Sequence, residues 1–195
     1  MADDIVDVIK AQHREVDRLL DEAMAEGSDT AALLRQVSEL LIPHSEAEES
    51  FVYPTIGEKK PPEGEEVHDS VAEHQHIEEV LQALLAEDPD TPGFDGRLAG
   101  LVGELRHHVE EEEQDLLPVL SEQASDDERA AMGARFAQET GWTGGTGPTG
   151  GSGDAADGDE SGPTRAELYE QAKEQDVPGR SKMSKAELGE AVEDD

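Results

Sequence analysis

The chain has 195 residues and carries 49 acidic against 15 basic side chains, a formal net charge of -34. This charge excludes non-specific attraction to nucleic-acid phosphates or anionic membranes as a property of the whole chain, because like charges repel. The chain contains no cysteine, which excludes disulfides, thiolate zinc sites, iron–sulfur clusters and cysteine nucleophiles. Only 34% of the residues are hydrophobic and 3% are aromatic, so the prediction of a fold must rest on pattern.

The acidity is typical of a protein from the salt-rich cytoplasm of a halophile, where salt screens the repulsion between carboxylates. An acidic interaction protein or a metal buffer is the alternative. No apolar run approaches the roughly 20 residues that span a bilayer. The first ten residues, MADDIVDVIK, lack the basic start of a secretory signal peptide. We therefore expect a cytoplasmic protein with no membrane partner.

Residues 1–142 predict an all-α fold, an up-down four-helix bundle with a short fifth helix. Apolar side chains recur three and four residues apart, and short connections rich in Pro, Gly and Asp separate the apolar stretches. Pro43 is expected to kink the second helix, and Ser125 and Glu128 have the spacing of a capping box at the start of the fifth. The predicted helices cover about 3–25, 30–57, 64–87, 94–121 and 126–139.

Each of the four long helices carries a histidine within its apolar stripe, at positions 13, 44, 74 and 108. Glu48 and Glu112 follow two of these histidines after four residues, about 40° round the helix and one turn along it. A single buried histidine is usually a hydrogen-bonded core residue. Two buried carboxylates, however, cost several kcal/mol each unless an opposite charge compensates them. The joint pattern therefore predicts a buried metal site.

These stretches also form an internal repeat, in which 12–16 aligns with 73–77 and 44–54 aligns with 108–118. Each of the two longer segments begins with His and ends on Pro. Two helix pairs with the same pattern would place two half-sites opposite each other. This arrangement favours two ions that are bridged by the two glutamates. Mixed imidazole and carboxylate ligands suit iron, and manganese or zinc less well.

The order and spacing of these residues resemble the hemerythrin-like family of HHE cation-binding domains over roughly residues 1–140. The resemblance implies a four-helix bundle with a non-haem di-iron centre that binds or reacts with dioxygen or peroxide. It implies the metal ligands His13, His44, Glu48, His74, His108 and Glu112. Respiratory hemerythrins have another histidine one turn before the third-helix ligand, where this chain has Ser70. This difference favours sensing, iron handling or peroxide chemistry over reversible oxygen carriage.

Three alternatives stay open at this point. The centre could belong to an enzyme that removes peroxide or oxidises ferrous iron, or the bundle could be metal-free and structural. A ferritin-like carboxylate site would use the Glu-x-x-His pairs Glu65–His68 and Glu104–His107, but these lie off the apolar stripes. We expect His68, His76 and His107 to be exposed. The alternative is that His68 or His76 completes the coordination of the metal as a further ligand. The acidic run 110–113 is expected to face solvent except at Glu112.

Residues 143–163 predict a flexible linker, because they are almost entirely Gly, Ser, Thr, Asp and Pro. Residues 164–195 predict a helix–loop–helix unit that resembles the SAP motif and the N-terminal helical domain of the transcription terminator Rho. Such modules often bind nucleic acid, and the candidate phosphate contacts are Arg180, Lys182 and Lys185. A protein-docking module is the alternative, since the segment is itself acidic.

Overall fold

The computed structural model describes residues 3–61 and 64–143, and every regular element among them is helical. The α-helices are α1 Ile5–Ala23, α2 Thr30–Ala47, α3 Tyr53–Lys59, α4 Gly64–Leu85, α5 Phe94–Glu111, α6 Leu117–Gln123 and α7 Asp126–Thr140. Two five-residue π-helical turns join α2 to α3 and α5 to α6. They are π1, Glu48–Val52, and π2, Glu112–Leu116. The predicted second and fourth helices are therefore each composed of an α, a π and an α segment.

Local cap chemistry explains several of the helix ends. The side chain of Asp4 accepts a hydrogen bond from the backbone N–H of Val6 and begins α1. Ser125 and Glu128 form the predicted capping box at the start of α7. Gly141 ends α7 with a φ of 68°, a left-handed conformation that glycine adopts without steric cost. The sequence correctly predicted these helices, with small differences at their ends.

The two π turns have the same cause. In each, the residue before a proline donates its backbone N–H to the carbonyl of a glutamate five residues earlier. These bonds run from Tyr53 to Glu48 and from Leu117 to Glu112. The prolines that follow, Pro54 and Pro118, have no N–H, and in a regular α-helix their rings would crowd the carbonyl four residues earlier. The sequence analysis missed both turns. Pro43, where it predicts a kink, lies within α2.

Apolar side chains form two buried clusters. The first draws on α1, α2, α4 and α5 and includes Val16, Leu41, Ile77, Leu81 and Leu105. The second draws on the opposite ends of α1, α2 and α4, on both π turns and on α3, α6 and α7, and includes Ile9, Ala47, Leu116 and Phe136. Helix α1 packs against α2 and α7, and α4 packs against α5. On α1, His13 lies between Ile9 of the second cluster and Val16 of the first.

No helix in the described ranges has the combination of length and apolarity that crossing a membrane requires. The predicted linker, beyond its first residue, and the predicted C-terminal module lie outside the described residues.

Candidate metal centre

The six candidate ligands lie together between the two apolar clusters, and we call them the polar layer. They come from α1, α2, α4, α5 and the first position of each π turn: His13, His44, Glu48, His74, His108 and Glu112. All six are buried, and their exposed fractions run from 0% for Glu48 to 6% for His13. The fold therefore brings together all six ligands that the family resemblance implied.

The imidazoles of the polar layer face each other in two pairs. Nε2 of His13 lies 3.2 Å from Nε2 of His44. Nε2 of His74 lies 2.9 Å from Nε2 of His108. We call the first pair half-site 1 and the second pair half-site 2, each taken with the carboxylate oxygens that it contacts.

Glu48 contacts both half-sites. Its Oε1 lies 3.0 Å from Nε2 of His44, and its Oε2 lies 3.5 Å from Nε2 of His74. Glu112 contacts half-site 1, with its Oε2 3.2 Å from Nε2 of His13. None of the four carboxylate oxygens has a hydrogen-bond partner of acceptable geometry within the described part of the chain.

Donor atoms within 4.8 Å of one another form two groups that could each hold an ion. One group is His13, His44, Glu48 and Glu112, and the other is Glu48, His74 and His108. Glu48 is common to both groups, which places its carboxylate between the half-sites. This arrangement of donors fits two cations that share a carboxylate.

Each imidazole is held from the outside through Nδ1. The contacts are His13 to Glu113 at 2.9 Å, His44 to Gln12 at 3.1 Å, His74 to Glu49 at 3.0 Å and His108 to Glu73 at 2.9 Å. All four outer partners present oxygen acceptors, which favours a hydrogen on each Nδ1 and leaves the Nε2 atoms as the ones that can bind a cation. Burial lowers the pKa of His13, but contacts with Glu112 and Glu113 outweigh it and raise the pKa, so a cation at half-site 1 would compete with a proton on this imidazole.

Burial also sets the protonation of the polar layer. Burial and neighbouring imidazoles lower the pKa of His44 and His108, which favours the neutral form that binds metals. Burial, together with the charge of Glu112, raises the pKa of Glu48 well above its usual value. Burial opposes ionisation of Glu112 too, but contact with His13 outweighs it and lowers the pKa. A cation would therefore displace a proton held at Glu48.

Tyr53 is a residue of the centre that the sequence analysis missed. Its ring stacks on that of His74, with centroids 5.6 Å apart, and its hydroxyl lies 3.4 Å from Nε2 of His74. Burial raises the pKa of Tyr53 well above its usual value, although a hydrogen bond from Ser70 acts in the opposite direction. The phenol of Tyr53 thus keeps its proton and interacts with both Ser70 and His74.

The remaining candidates lie apart from the polar layer. His68, His76 and His107 are exposed, as predicted. Glu104 and His107, one of the ferritin-type pairs, are both exposed, and the side chain of Glu65 lies outside the described part. The predicted nucleic-acid contacts Arg180, Lys182 and Lys185 also lie outside the described residues.

The acidic run is mostly exposed, as expected, and Glu112 is its buried member. Glu113, which we expected to face solvent, bonds to Nδ1 of His13 and is only 29% exposed in its side chain. A cleft of about 440 Å³ between α1 and α5 is lined by His13 and Glu113. The cleft thus reaches the outer edge of half-site 1 at His13.

Comparison with known proteins agrees with this geometry. Residues 4–120 match the family model of the hemerythrin HHE cation binding domain. An uncharacterized hemerythrin-like protein of Schizosaccharomyces pombe is 32% identical over 94 residues, which cover 48% of this chain and 46% of that protein. The alignment thus spans about half the length of this relative. No solved structure matches the chain significantly.

Proposed function

Since the chain belongs to the hemerythrin HHE cation-binding domain family, we propose that its polar layer binds two metal ions. The proposed ligands are His13, His44, Glu48, His74, His108 and Glu112. The observation that carries this proposal is the pair of fully buried carboxylates, whose four oxygens have no hydrogen-bond partner among the described residues. An uncompensated buried carboxylate costs several kcal/mol. Cations would supply the missing charge and use the four inward Nε2 atoms as well.

Iron is the metal that we propose. Four imidazoles and two carboxylates form a mixed nitrogen and oxygen donor set. Such a set suits iron better than it suits calcium or magnesium, which prefer oxygen ligands alone. Manganese and zinc are the next candidates. Two irons per chain follow from the two donor groups that share Glu48.

The role that we propose is the sensing or handling of oxygen, iron or redox state. Bound iron would supply the redox chemistry through which dioxygen or peroxide is bound or converted. The chain's own residues hold the imidazoles in one tautomer, exclude water with two apolar clusters and leave a cleft at His13. An enzyme acting on peroxide or ferrous iron is the alternative. Repeated turnover in stopped-flow assays without an added reductase would favour the enzyme, and a stable reversible oxygen adduct would exclude it.

Two further proposals concern regions beyond the centre. We infer that the four long helices run alternately up and down, since short connections join them. We also infer that residues 164–195 recruit a nucleic-acid or protein partner, with Arg180, Lys182 and Lys185 as the phosphate contacts. Full-length protein in which these three residues are alanine should lose binding to DNA at high salt. Equal binding by this variant and the wild type would refute that role.

Metal analysis tests the main proposal. Wild-type protein loaded with Fe²⁺ without oxygen should retain two irons per chain, and a variant with His44→Ala and His108→Ala should retain none. The control variant carries His68→Ala and His107→Ala, which change two exposed imidazoles on α4 and α5. It should keep both irons. Unchanged iron content in the His44→Ala, His108→Ala variant would refute the site.

A further inference from the structure

The two half-sites are built alike but differ in the charge of their outer partners. By the internal repeat, Gln12 and Glu73 are equivalent positions, each directly before a histidine of the polar layer. They make the same contact, because each accepts from Nδ1 of a histidine on the neighbouring helix of its pair. One partner is therefore a neutral amide and the other a carboxylate.

The second pair of outer partners increases this difference. Glu49 contacts His74 in half-site 2, and Glu113 contacts His13 in half-site 1. Glu113 is also paired with the ammonium of Lys10 at 3.5 Å, whose positive charge offsets that of the carboxylate. Half-site 2 thus has two outer carboxylates, and half-site 1 has a single carboxylate neutralised by a lysine.

The neutral amide at Gln12 is fixed by a hydrogen-bond chain to α7. The hydroxyl of Thr140 donates to the carbonyl of Phe136 at 2.8 Å, so its oxygen is left as an acceptor. Nε2 of Gln12 donates to that oxygen at 2.9 Å, which directs Oε1 of the same amide towards Nδ1 of His44. A carboxylate at position 12 would set acceptor against acceptor at Thr140. The identity of residue 12 is therefore tied to α7.

We propose that the two half-sites load unequally, with half-site 2 binding its cation more tightly, and that Gln12 and Glu73 are the positioning residues that set the difference. This inference rests on the proposed function. An outer carboxylate strengthens an imidazole as a donor and adds negative charge near the ion, and outer partners typically change metal affinity by about 10–100-fold. The weaker ion would lie in half-site 1, whose outer partners are a neutral amide and a carboxylate paired with Lys10.

The direct donors do not cancel this difference. Each half-site has two imidazoles, and Glu48 contributes one oxygen to each. Glu112 contacts half-site 1 through Oε2, but its Oε1 has no hydrogen-bond partner among the described residues, and the residue lies one turn after His108. Glu48 therefore serves both ions, and we propose that the one extra donor of half-site 1, Glu112, is outweighed by the two outer carboxylates of half-site 2, which cannot be shared.

Titration of the full metal-free chain with Co²⁺, followed by visible absorption and calorimetry, tests the proposal. The wild type should bind two ions in two steps, with dissociation constants about tenfold or more apart. Glu73→Gln should weaken the tighter step by about tenfold, and Gln12→Glu combined with Thr140→Ala, which removes the opposed acceptor, should strengthen the weaker one. Glu73 and Glu104 line a second cleft, between α4 and α5. Glu104→Gln removes a carboxylate there that contacts the exposed His76 and no histidine of the polar layer, and it should change neither step.

A fourth variant assigns the steps to the half-sites. With His44→Ala, a single ion should bind with the affinity of the tighter wild-type step. Circular dichroism of each metal-free variant checks that it folds. Two equal steps in the wild type, or a Glu73→Gln variant that leaves the tighter step unchanged, would overturn the inference while the metal site stands. If the wild type binds no Co²⁺ in the polar layer, the proposed function itself fails.

Discussion

The polar layer and the two apolar clusters are equally buried and lie on the same helices, yet they affect stability in opposite ways. Leu81 of the first cluster and Glu48 of the polar layer both have 0% exposure. Burial of a leucine stabilises the fold by about 1.5–3 kcal/mol, whereas burial of a carboxylate without partners destabilises it. The apolar clusters thus contribute stability without a ligand. Without a cation, the polar layer keeps its arrangement only because the neighbouring residues hold it in place.

This difference explains why the layer lies where it does. Apolar packing on both sides fixes the six side chains in advance, so a cation does not have to order them. The outer acceptors at Nδ1 add a second constraint, since they fix each imidazole in the tautomer that directs Nε2 inward. The stability of the clusters thus makes an otherwise unfavourable polar arrangement possible.

Removal of the metal should cause the largest change in the stability of the folded protein. Ions that bind only the folded state stabilise it by about 4 kcal/mol each when the free metal is a thousandfold above the dissociation constant. Urea unfolding of iron-loaded and metal-free protein, both without oxygen, measures the difference. Identical unfolding midpoints would mean that the polar layer, like the clusters, needs no ligand.

A truncation in the first apolar cluster should affect both forms equally. Leu81→Ala removes a fully buried side chain and should lower the free energy of unfolding by about 2–5 kcal/mol. The same loss is expected with and without metal, because Leu81 is not part of the polar layer. Leu81→Met conserves volume and should cost under about 1.5 kcal/mol. A metal-dependent loss for Leu81→Ala would break the separation between the two regions.

Lower pH should weaken metal binding by the polar layer. Glu48 has a pKa raised well above 4.5, so between 4.5 and that raised value the metal-free carboxyl is protonated. Binding of a cation releases this proton, and the affinity therefore rises with pH, by about tenfold per pH unit for each proton released. Co²⁺ titrations across this range measure the slope. A slope of zero would contradict a carboxyl ligand that is protonated when metal-free.

Replacing one carboxyl group by an amide should have the smallest effect on the metal-free protein. Glu48→Gln keeps the shape of the side chain and removes the cost of burying an ionisable carboxyl, so the metal-free protein should unfold with an unchanged free energy or one about 1 kcal/mol higher. The stabilisation by metal should fall sharply, since Glu48 contacts both half-sites. Chemical unfolding with and without Fe²⁺ checks both expectations. Strong destabilisation of the metal-free variant would show that Glu48 acts as a structural residue.

The sequence predicts the helices and the polar layer because both depend on local spacing. Histidines at apolar positions are visible without a structure, and a glutamate four residues later must share their helix face. The π turns escaped prediction, because an apolar pattern is compatible with either hydrogen-bond register. In the sequence alone, Tyr53 could not be distinguished from an ordinary residue of the apolar core. Glu113 resembled a solvent-facing acid, since its contact with His13 joins residues 100 positions apart.

The central claim is that the polar layer is a binuclear cation site. An anomalous-difference map, collected at the iron absorption edge from crystals of iron-loaded protein, tests it most directly. We predict two peaks per chain, one at His13 and His44 and the other at His74 and His108, both within reach of Glu48. A map with no peak in the polar layer, or with peaks only among surface carboxylates, would contradict the claim.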